Sequence, residues 1–184
     1  MSADPVLQAV LRSAADATTA THGWIVAVDG DELEVVAAFG PLADSLLGSS
    51  VSAGAGNAGF VVSSGQPVAM RPRPDDPQPA EGVPGLLPDR PASILCVPCQ
   101  GDDAVQGALE VVDKEGGVPF SFDDVELVTL LAGIAGAAIE HRSELGGEVP
   151  SPNELASDLQ RLASADPVRY ASVASVMGSL LGSA

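Results

Sequence analysis

The chain has 184 residues, of which 46% are hydrophobic and only 3% aromatic, so its core is built from small aliphatic side chains. Twenty-five acidic residues against eight basic ones give a formal charge of -17, which opposes binding to nucleic-acid phosphates and to anionic membranes. No segment approaches the ~18 consecutive apolar residues of a membrane span, and the first residues lack the basic and apolar parts of a signal peptide. We therefore expect a cytoplasmic protein with no nucleic-acid partner and no membrane partner.

The chain begins with a predicted helix over residues 5–19 and a β-hairpin. The apolar side of the helix recurs at three- and four-residue spacing, at Val6, Val10, Leu11, Ala14 and Ala17. The hairpin has predicted strands at 24–28 and 33–39, joined around Gly30, because glycine supplies the positive φ of a tight turn. A short turn of helix is predicted over residues 41–47.

The glycines of residues 54–59 form the pattern GxGxxG, which also marks dinucleotide-binding folds. We reject that interpretation because no clear parallel strand precedes the glycines, and the acidic residues at a suitable distance lie in a proline-rich loop. The segment instead predicts a helix over 57–64 that ends at Gly65. The backbone N–H groups at the start of this helix remain an alternative site for an anionic ligand group.

A brief strand over residues 67–70 leads into a predicted irregular loop over 71–91. The loop holds seven of the 15 prolines, and proline lacks the backbone N–H that helices and central strands need. Loops of this length are usually either lids or disordered segments, and both alternatives stay open. Leu86 and Leu87 are the large apolar residues that could anchor the loop to a pocket.

Two apolar runs, residues 93–97 and 105–112, predict neighbouring strands that are covered on both faces, because apolar residues occupy successive positions. The helix that follows is predicted to run to about residue 144, and Ser121 and Asp124 have the spacing of a capping box at its start. Its large apolar residues are predicted to mark one side and to pack against the sheet or a second copy: Leu127, Leu130, Leu131, Ile134, Ala138 and Ile139.

A linker at residues 146–150 separates a predicted domain over 1–146 from an extension over 147–184. The extension predicts two short amphipathic helices, which cannot bury their apolar sides alone and need the domain, a second copy or a partner. The candidate contacts are Tyr170, Val173, Met177 and Leu181. The extension carries too few basic residues for binding RNA.

Four segments in this order resemble the GAF domain, a module for small-molecule sensing and dimerisation. They are the glycine-rich helix 54–68, the strand 93–98, the strand 107–114 and the helix start 120–124. The resemblance spans about residues 5–145. It implies a bacterial signal-transduction protein of the α+β class, with an antiparallel sheet of five or six strands and helices on both faces. The C-terminal helical hairpin is an addition to that fold.

The resemblance also implies a pocket on the face opposite the first and last helices. Candidate ligand-binding residues are Trp24, Asn57, Phe60, Val61, Leu86, Cys96 and Glu110. Alternation along the strand places Leu109 and Val111 in one layer, and Ala108, Glu110 and Val112 in the other. The family likeness directs Glu110 toward the pocket, where a buried carboxylate needs a cationic or hydrogen-bonding partner.

Cyclic-nucleotide-binding members of the family carry a signature that this chain matches only in part. Lys114, Phe120 and Asp124 agree with it, whereas Asp113 replaces an asparagine and Val125 replaces a glutamate. The resemblance therefore implies an ion pair between Lys114 and Asp124 that ties strand to helix. It does not identify a cyclic nucleotide as the ligand.

The sequence contains little that indicates catalysis. Cys96 and Cys99 form a CxxC pattern, but residues three apart on a strand face opposite sides, so we expect no redox or metal role. We expect no cofactor and no enzymatic activity. The sequence predicts a regulatory protein that binds a small molecule and signals through helical contacts with a second copy or a partner. The alternative is a ligand-free interaction module, which a filled space under the glycine-rich helix would favour.

Overall fold

The computed structural model of the protein describes residues 4–73, 82–146, 152–165, 167–171 and 173–174. The chain divides into two compact units, Met1–Leu145 and Gly146–Ala184. The elements of the first unit are α1 (Pro5–Thr18), β1 (Ala20–Asp29), β2 (Glu32–Phe39), α2 (Ala43–Leu46), β3 (Ser50–Ser52), α3 (Gly56–Ser64), β4 (Val68–Met70), a 3-10 helix (Val83–Leu86), β5 (Ile94–Gln100), β6 (Val105–Lys114), a 3-10 turn (Glu115–Gly117) and α4 (Phe122–Gly146).

The six strands form one antiparallel sheet in the order β3-β2-β1-β6-β5-β4. The predicted α+β class and the sheet of five or six strands are therefore confirmed, with six strands present. The sequence prediction lacked β3. Its three residues, Ser50, Val51 and Ser52, show no apolar run, and only backbone pairing with β2 makes them a strand.

One face of the sheet is covered by α1 and α4, and we call this the α1/α4 layer. In α1, the side chains buried against the sheet are Leu7, Val10, Leu11, Ala14, Ala15 and Thr18. The predicted stripe was wrong at its two ends, because Val6 and Ala17 are exposed. The buried side is centred instead on Leu7, Leu11 and Thr18, although the helix begins where it was predicted to, after Asp4. The Asp4 carboxylate accepts hydrogen bonds from the backbone N–H groups of Val6 and Leu7.

The buried side of α4 agrees with only half of the predicted one. Val128, Ala132, Ala135 and Ile139 are buried against the sheet, with Leu131 and Ala138 partly buried beside them. The other three residues of the predicted stripe, Leu127, Leu130 and Ile134, are exposed. At Gly136, α4 lies very close to the end of β5, and this contact determines which side of the helix faces the sheet. A Cβ atom at Gly136 would lie 2.1 Å from the carbonyl oxygen of Gln100, so larger side chains do not fit there.

The opposite face of the sheet is covered by α2, α3 and the 3-10 helix Val83–Leu86, and we call this the α3 layer. Its buried side chains are Trp24, Val26, Leu33, Val35, Ala38, Leu46, Ala58, Val61, Val83, Ile94, Cys96, Ala108 and Val112. Leu109 and Val111 belong to the other layer, which confirms the predicted alternation along β6.

The glycine-rich segment forms the predicted helix α3, which ends at Gly65 with a φ of 66°. Glycine is needed at its start for steric reasons. A Cβ atom at Gly59 would lie 2.6 Å from the carbonyl oxygen of Ala53, so the chain entering the helix can pass over it only without a side chain. The strand before the helix, β3, is antiparallel to β2, which agrees with the rejection of a dinucleotide-binding fold.

The second unit contains α5 (Pro152–Ala165), and residues 167–171 and 173–174 are also helical. Tyr170 is 36% exposed and Val173 is partly buried within this unit. The predicted contacts Met177 and Leu181 lie outside the described residues, as does the centre of the proline-rich loop, 74–81.

Candidate functional site

The centre of the α3 layer is a row of three side chains from neighbouring strands. Trp24 of β1 lies opposite Glu110 of β6, and Glu110 lies opposite Cys96 of β5. All three side chains are completely buried. A tryptophan, a carboxyl group and a thiol are therefore packed side by side under α3.

Glu110 is held by two neutral donors. The indole Nε1 of Trp24 donates a hydrogen bond of 2.9 Å to Oε2, and the amide Nδ2 of Asn57 donates one of 3.3 Å to Oε1. Burial raises the pKa of Glu110 from its ordinary value of 4.5 to about 7, and the two hydrogen bonds oppose that shift only in part. The carboxyl group can therefore gain or lose a proton near neutral pH.

Five of the seven predicted ligand-binding residues lie together in this layer. Trp24, Val61, Cys96 and Glu110 are completely buried, and Asn57 reaches Glu110 from the start of α3. Trp24, Val61 and Cys96 belong to one buried apolar cluster with Ala58 and Val83. The five residues thus lie in the solvent-shielded layer between α3 and the sheet, around Glu110.

The other two predicted ligand-binding residues do not lie among the buried side chains of this layer. Phe60 is 53% exposed, because the side of α3 that faces the sheet carries Ala58 and Val61. Leu86 is 50% exposed, whereas its neighbour Leu87 packs against the α3 layer. Which of the neighbours Leu86 and Leu87 is buried depends on how this loop packs on the sheet. Residue type alone does not indicate it, because both are leucine.

The two cysteines face opposite layers, as their spacing predicts. Cys96 belongs to the α3 layer and Cys99 to the α1/α4 layer, and both are free and buried. Burial raises the pKa of both thiols, and the charge of Glu110 adds to the shift at Cys96. A thiol that stays protonated is a poor nucleophile, so neither cysteine is arranged for covalent chemistry.

The start of α4 is joined to β6 by a second polar cluster. Lys114 forms an ion pair with Asp124, and both side chains are largely buried. The carboxylate of Asp124 also accepts hydrogen bonds from the backbone N–H and the hydroxyl of Ser121, whose oxygen in turn accepts one from the N–H of Asp124. Burial would raise the pKa of Asp124, but the bonds from Lys114 and Ser121 outweigh it and hold the pKa below its usual range.

The exposed side of α4 carries several large apolar side chains, and we call it the α4 face. It consists of Leu127, Leu130 and Ile134, which are 39%, 74% and 53% exposed and recur at three- and four-residue spacing. Phe122, in the first turn of the helix, is 73% exposed. Of the two predicted dimer contacts on this helix, Ile134 belongs to the α4 face and Leu131 is partly buried at its edge.

The described part of the chain has neither a metal-binding cluster nor a membrane-spanning helix. No three His, Cys, Asp or Glu side chains there lie close enough together to hold a metal ion. None of the described helices has both the length and the apolar character required to cross a bilayer.

Comparison with known proteins then decides the family. The sequence profile of the GAF domain matches residues 1–140, which is well over half of the chain. The protein belongs to the GAF domain family. GAF domains are typically sensory or regulatory parts of signalling proteins. A search of the curated proteins found no match.

Solved GAF domains share the fold at low sequence identity. The GAF-B domain of DevS from Mycobacterium smegmatis superposes with a TM-score of 0.61 at 22% identity, covering 77% of this chain and 96% of that one. The GAF domain of a phosphoenolpyruvate-protein phosphotransferase from Acinetobacter gives 0.66 at 21% identity, covering 78% and 85%. A type II free methionine-R-sulfoxide reductase from Thermoplasma acidophilum gives 0.60 at 15% identity, covering 73% and 89%. At these identities the likeness establishes the fold alone.

Proposed function

We propose that this GAF protein is a non-catalytic regulatory module that acts by protein contact, with the α4 face as its principal interaction surface. The observation that carries the proposal is the exposure of Leu127, Leu130 and Ile134 in one stripe, on the side of the helix turned away from the sheet. Large aliphatic side chains in a continuous exposed stripe are unfavourable in water and are typical of an interface. The occupant that we propose is the same face of a second copy.

The α3 layer is compatible with the same proposal. Trp24, Cys96 and Glu110 are completely buried, and Glu110 already has two hydrogen-bond partners within the protein. A module of this kind needs no ligand in order to associate. The helices of the second unit, with Tyr170 and Val173 and with residues 177 and 181, are proposed as further contacts with a partner.

The test is the association state of the full-length chain. The double variant Leu130→Glu/Ile134→Glu places two charges in the α4 face, and Val28→Glu places one on a strand residue that is 40% exposed. We expect sedimentation velocity to show a wild-type dimer, a dimer for Val28→Glu and a monomer for the double variant, with unchanged far-UV circular dichroism. A wild-type monomer at the highest attainable concentration contradicts the homodimer.

A second candidate function is small-molecule sensing in the α3 layer, favoured by the buried carboxyl group of Glu110. A carboxylate without a cationic partner is costly in an apolar layer, and a cationic group of a ligand would relieve that cost. In this case a ligand would have to displace Asn57, which makes the longer of the two hydrogen bonds.

The protein contains a single tryptophan, so its fluorescence reports on this site directly. A metabolite that binds beside Glu110 should change the emission of Trp24 and raise the melting temperature, and Glu110→Gln should abolish both effects. An unchanged response in Glu110→Gln contradicts sensing at this position.

A further inference from the structure

A separate cavity of about 280 Å³ lies at one end of the sheet, and neither of the proposed functions uses it. It is lined by His22, Pro41, Leu42, Leu87, Pro88, Asp89 and Asp113. Its volume falls just below the range of about 300–1,000 Å³ that is typical of ligand sites. A small molecule is therefore the appropriate occupant.

The walls of this cavity are apolar and anchored to the core. Leu42 and Leu87 both pack against the α3 layer, and Pro41 and Pro88 flank them. The turn that carries Pro41 lies tightly against β1. A Cβ atom at Gly40, where φ is +105°, would be 2.6 Å from the carbonyl oxygen of Thr21 and 3.1 Å from Cδ2 of His22.

The polar groups of the cavity are held in place before any ligand arrives. Asp113 has a φ of 57°, its N–H donates to the carbonyl of Ser93, and its Oδ1 accepts a hydrogen bond of 2.6 Å from the N–H of Ala92. His22 is held by a hydrogen bond of 3.0 Å between its Nδ1 and the hydroxyl of Thr21. Such preorganisation lowers the entropic cost of binding.

The charges of the cavity favour a cation. Two aspartates and one histidine line it, and none of the described lining residues is Lys or Arg. Oδ2 of Asp113 lies 3.9 Å from Nδ1 of His22, which is too far for a hydrogen bond. A donor group between them could therefore bond to Oδ2. The net charge of -17 adds a long-range attraction for any cation.

We infer that this cavity binds a small organic cation, a primary alkylammonium ion whose charged end lies at Asp113 and Asp89 and whose alkyl chain packs against Leu42 and Leu87. The inference goes beyond the proposed protein contacts and does not depend on them. It also differs from sensing at Glu110, because the groups that bind the cation are at one end of the strands β1 and β6 and in a neighbouring loop, and not in the centre of the sheet.

Binding would be measured on the full-length protein with the n-butylammonium ion as the probe and n-butanol as its neutral analogue. Both are titrated at low ionic strength while amide chemical shifts are followed by nuclear magnetic resonance. We expect saturable binding of n-butylammonium with shifts at His22, Leu87 and Asp113. We expect n-butanol to bind at least about tenfold more weakly. This difference corresponds to the loss of one charge-assisted contact of about 1.4 kcal/mol.

Matched aspartate variants separate a site from general charge attraction. Asp113→Asn keeps a side chain that tolerates positive φ and still accepts from Ala92, and Asp89→Asn removes the second carboxylate. Each of these two variants should weaken n-butylammonium binding about tenfold, which corresponds to the loss of one charge-assisted contact. Asp102→Asn and Asp103→Asn, on the exposed β5–β6 turn, remove the same charge and should leave the affinity unchanged.

Three results would overturn the inference. They are shifts that fail to saturate, equal affinities for n-butylammonium and n-butanol, and equal losses in the cavity variants and the β5–β6 turn variants. A correctly folded Asp113→Asn protein is verified by its amide spectrum in the absence of the probe. None of these measurements depends on the association state, so failure here leaves the proposed protein contact untouched.

Discussion

The two layers that cover the sheet are built from similar small aliphatic residues, but only one has an ionisable carboxyl group at its centre. In the α1/α4 layer, the buried Thr18 hydroxyl bonds to the carbonyl of Ala14 in the same helix, and Asp124 lies at the beginning of α4 beside Lys114. In the α3 layer, Glu110 lies at the centre with two neutral donors. From this difference we expect the contribution of the α3 layer to stability to fall as Glu110 loses its proton, whereas the described side chains of the α1/α4 layer include no buried carboxyl group at its centre.

The largest expected effect concerns the proton on Glu110. Below pH 4.5 the group is protonated in both the folded and the unfolded chain, and between 4.5 and about 7 only the folded chain keeps the proton. The free energy of unfolding should therefore fall as pH rises through this interval, by about 3 kcal/mol in total. Glu110→Gln carries no such proton and should lack this contribution.

The measurement is urea unfolding followed by circular dichroism from pH 5 to pH 8, reported as the difference between the wild type and each variant. Glu126→Gln, an exposed change on α4, is the control and should give a constant difference. A constant difference for Glu110→Gln as well would mean that Glu110 ionises as an ordinary solvent-exposed carboxyl group. The two layers would then not differ in their response to pH.

A smaller effect is expected from the packing of the α1/α4 layer. Gly136→Ala would place a Cβ atom 2.1 Å from the backbone oxygen of Gln100, which forces α4 away from the sheet. We expect a loss of about 2 kcal/mol in the free energy of unfolding. Gly133→Ala, on the same helix with no atom within 4 Å of the added Cβ, should instead raise stability by up to about 1 kcal/mol.

Urea unfolding of both glycine variants at one pH is sufficient, since the comparison is between two identical chemical changes. If the two variants were equally stable, α4 would be able to move without cost. The small side chains of its buried face would then need another explanation. The result would also weaken the contrast between a rigidly packed layer and a proton-sensitive one.

The smallest effect is expected at the junction of β6 and α4. Asp124→Ala removes both the ion pair with Lys114 and the cap on Ser121, and should cost about 1–2 kcal/mol at neutral pH. Lys114→Met should cost about 1 kcal/mol or less, since the cap remains. Because the pKa of Asp124 is lowered, its contribution is present above its ordinary value of 3.8 and is lost as pH falls below it.

A double-mutant cycle in thermal unfolding isolates the ion pair. In the Asp124→Ala background, Lys114→Met should have no further effect. Independent, additive losses would show that the two side chains do not stabilise the fold together. Acid removes the stabilising contribution of Asp124, whereas it stabilises the fold at Glu110. The two effects of pH on the free energy of unfolding can therefore be separated.

Much of the architecture was predictable because it depends on short-range patterns. The hairpin around Gly30 follows from turn chemistry, and the capping box of Ser121 and Asp124 follows from hydrogen bonding within four residues. The assignment of Cys96 and Cys99 to opposite layers follows from the two-residue period of a strand. Such features need no knowledge of the neighbouring elements.

The candidate site was predictable only in part. Alternation along β6 separated Glu110 from Leu109 and Val111, and the family likeness directed it to the layer opposite α1 and α4. Neither Trp24 nor Asn57 could be identified as its hydrogen-bond partner from spacing, because the partners lie 86 and 53 residues away. The outward positions of Phe60 and Leu86 also escaped prediction. Both depend on how a helix or a loop is seated on the sheet.

Apart from β3, which depends on pairing with β2, the sequence by itself determined where the strands of the sheet and helices α1, α3 and α4 lie, since hydrophobic period, turn residues and caps act over a few residues. Only the tertiary structure decided which side of α4 is buried. Helical periodicity allowed Leu127, Leu130 and Ile134 to belong to the core side, but the close approach at Gly136 fixes a different side of the helix, which carries Ala132, Ala135 and Ile139, against the sheet. Leu127, Leu130 and Ile134 lie outside that side and are exposed. The proposed interaction surface is therefore a consequence of packing distance, which no local pattern encodes.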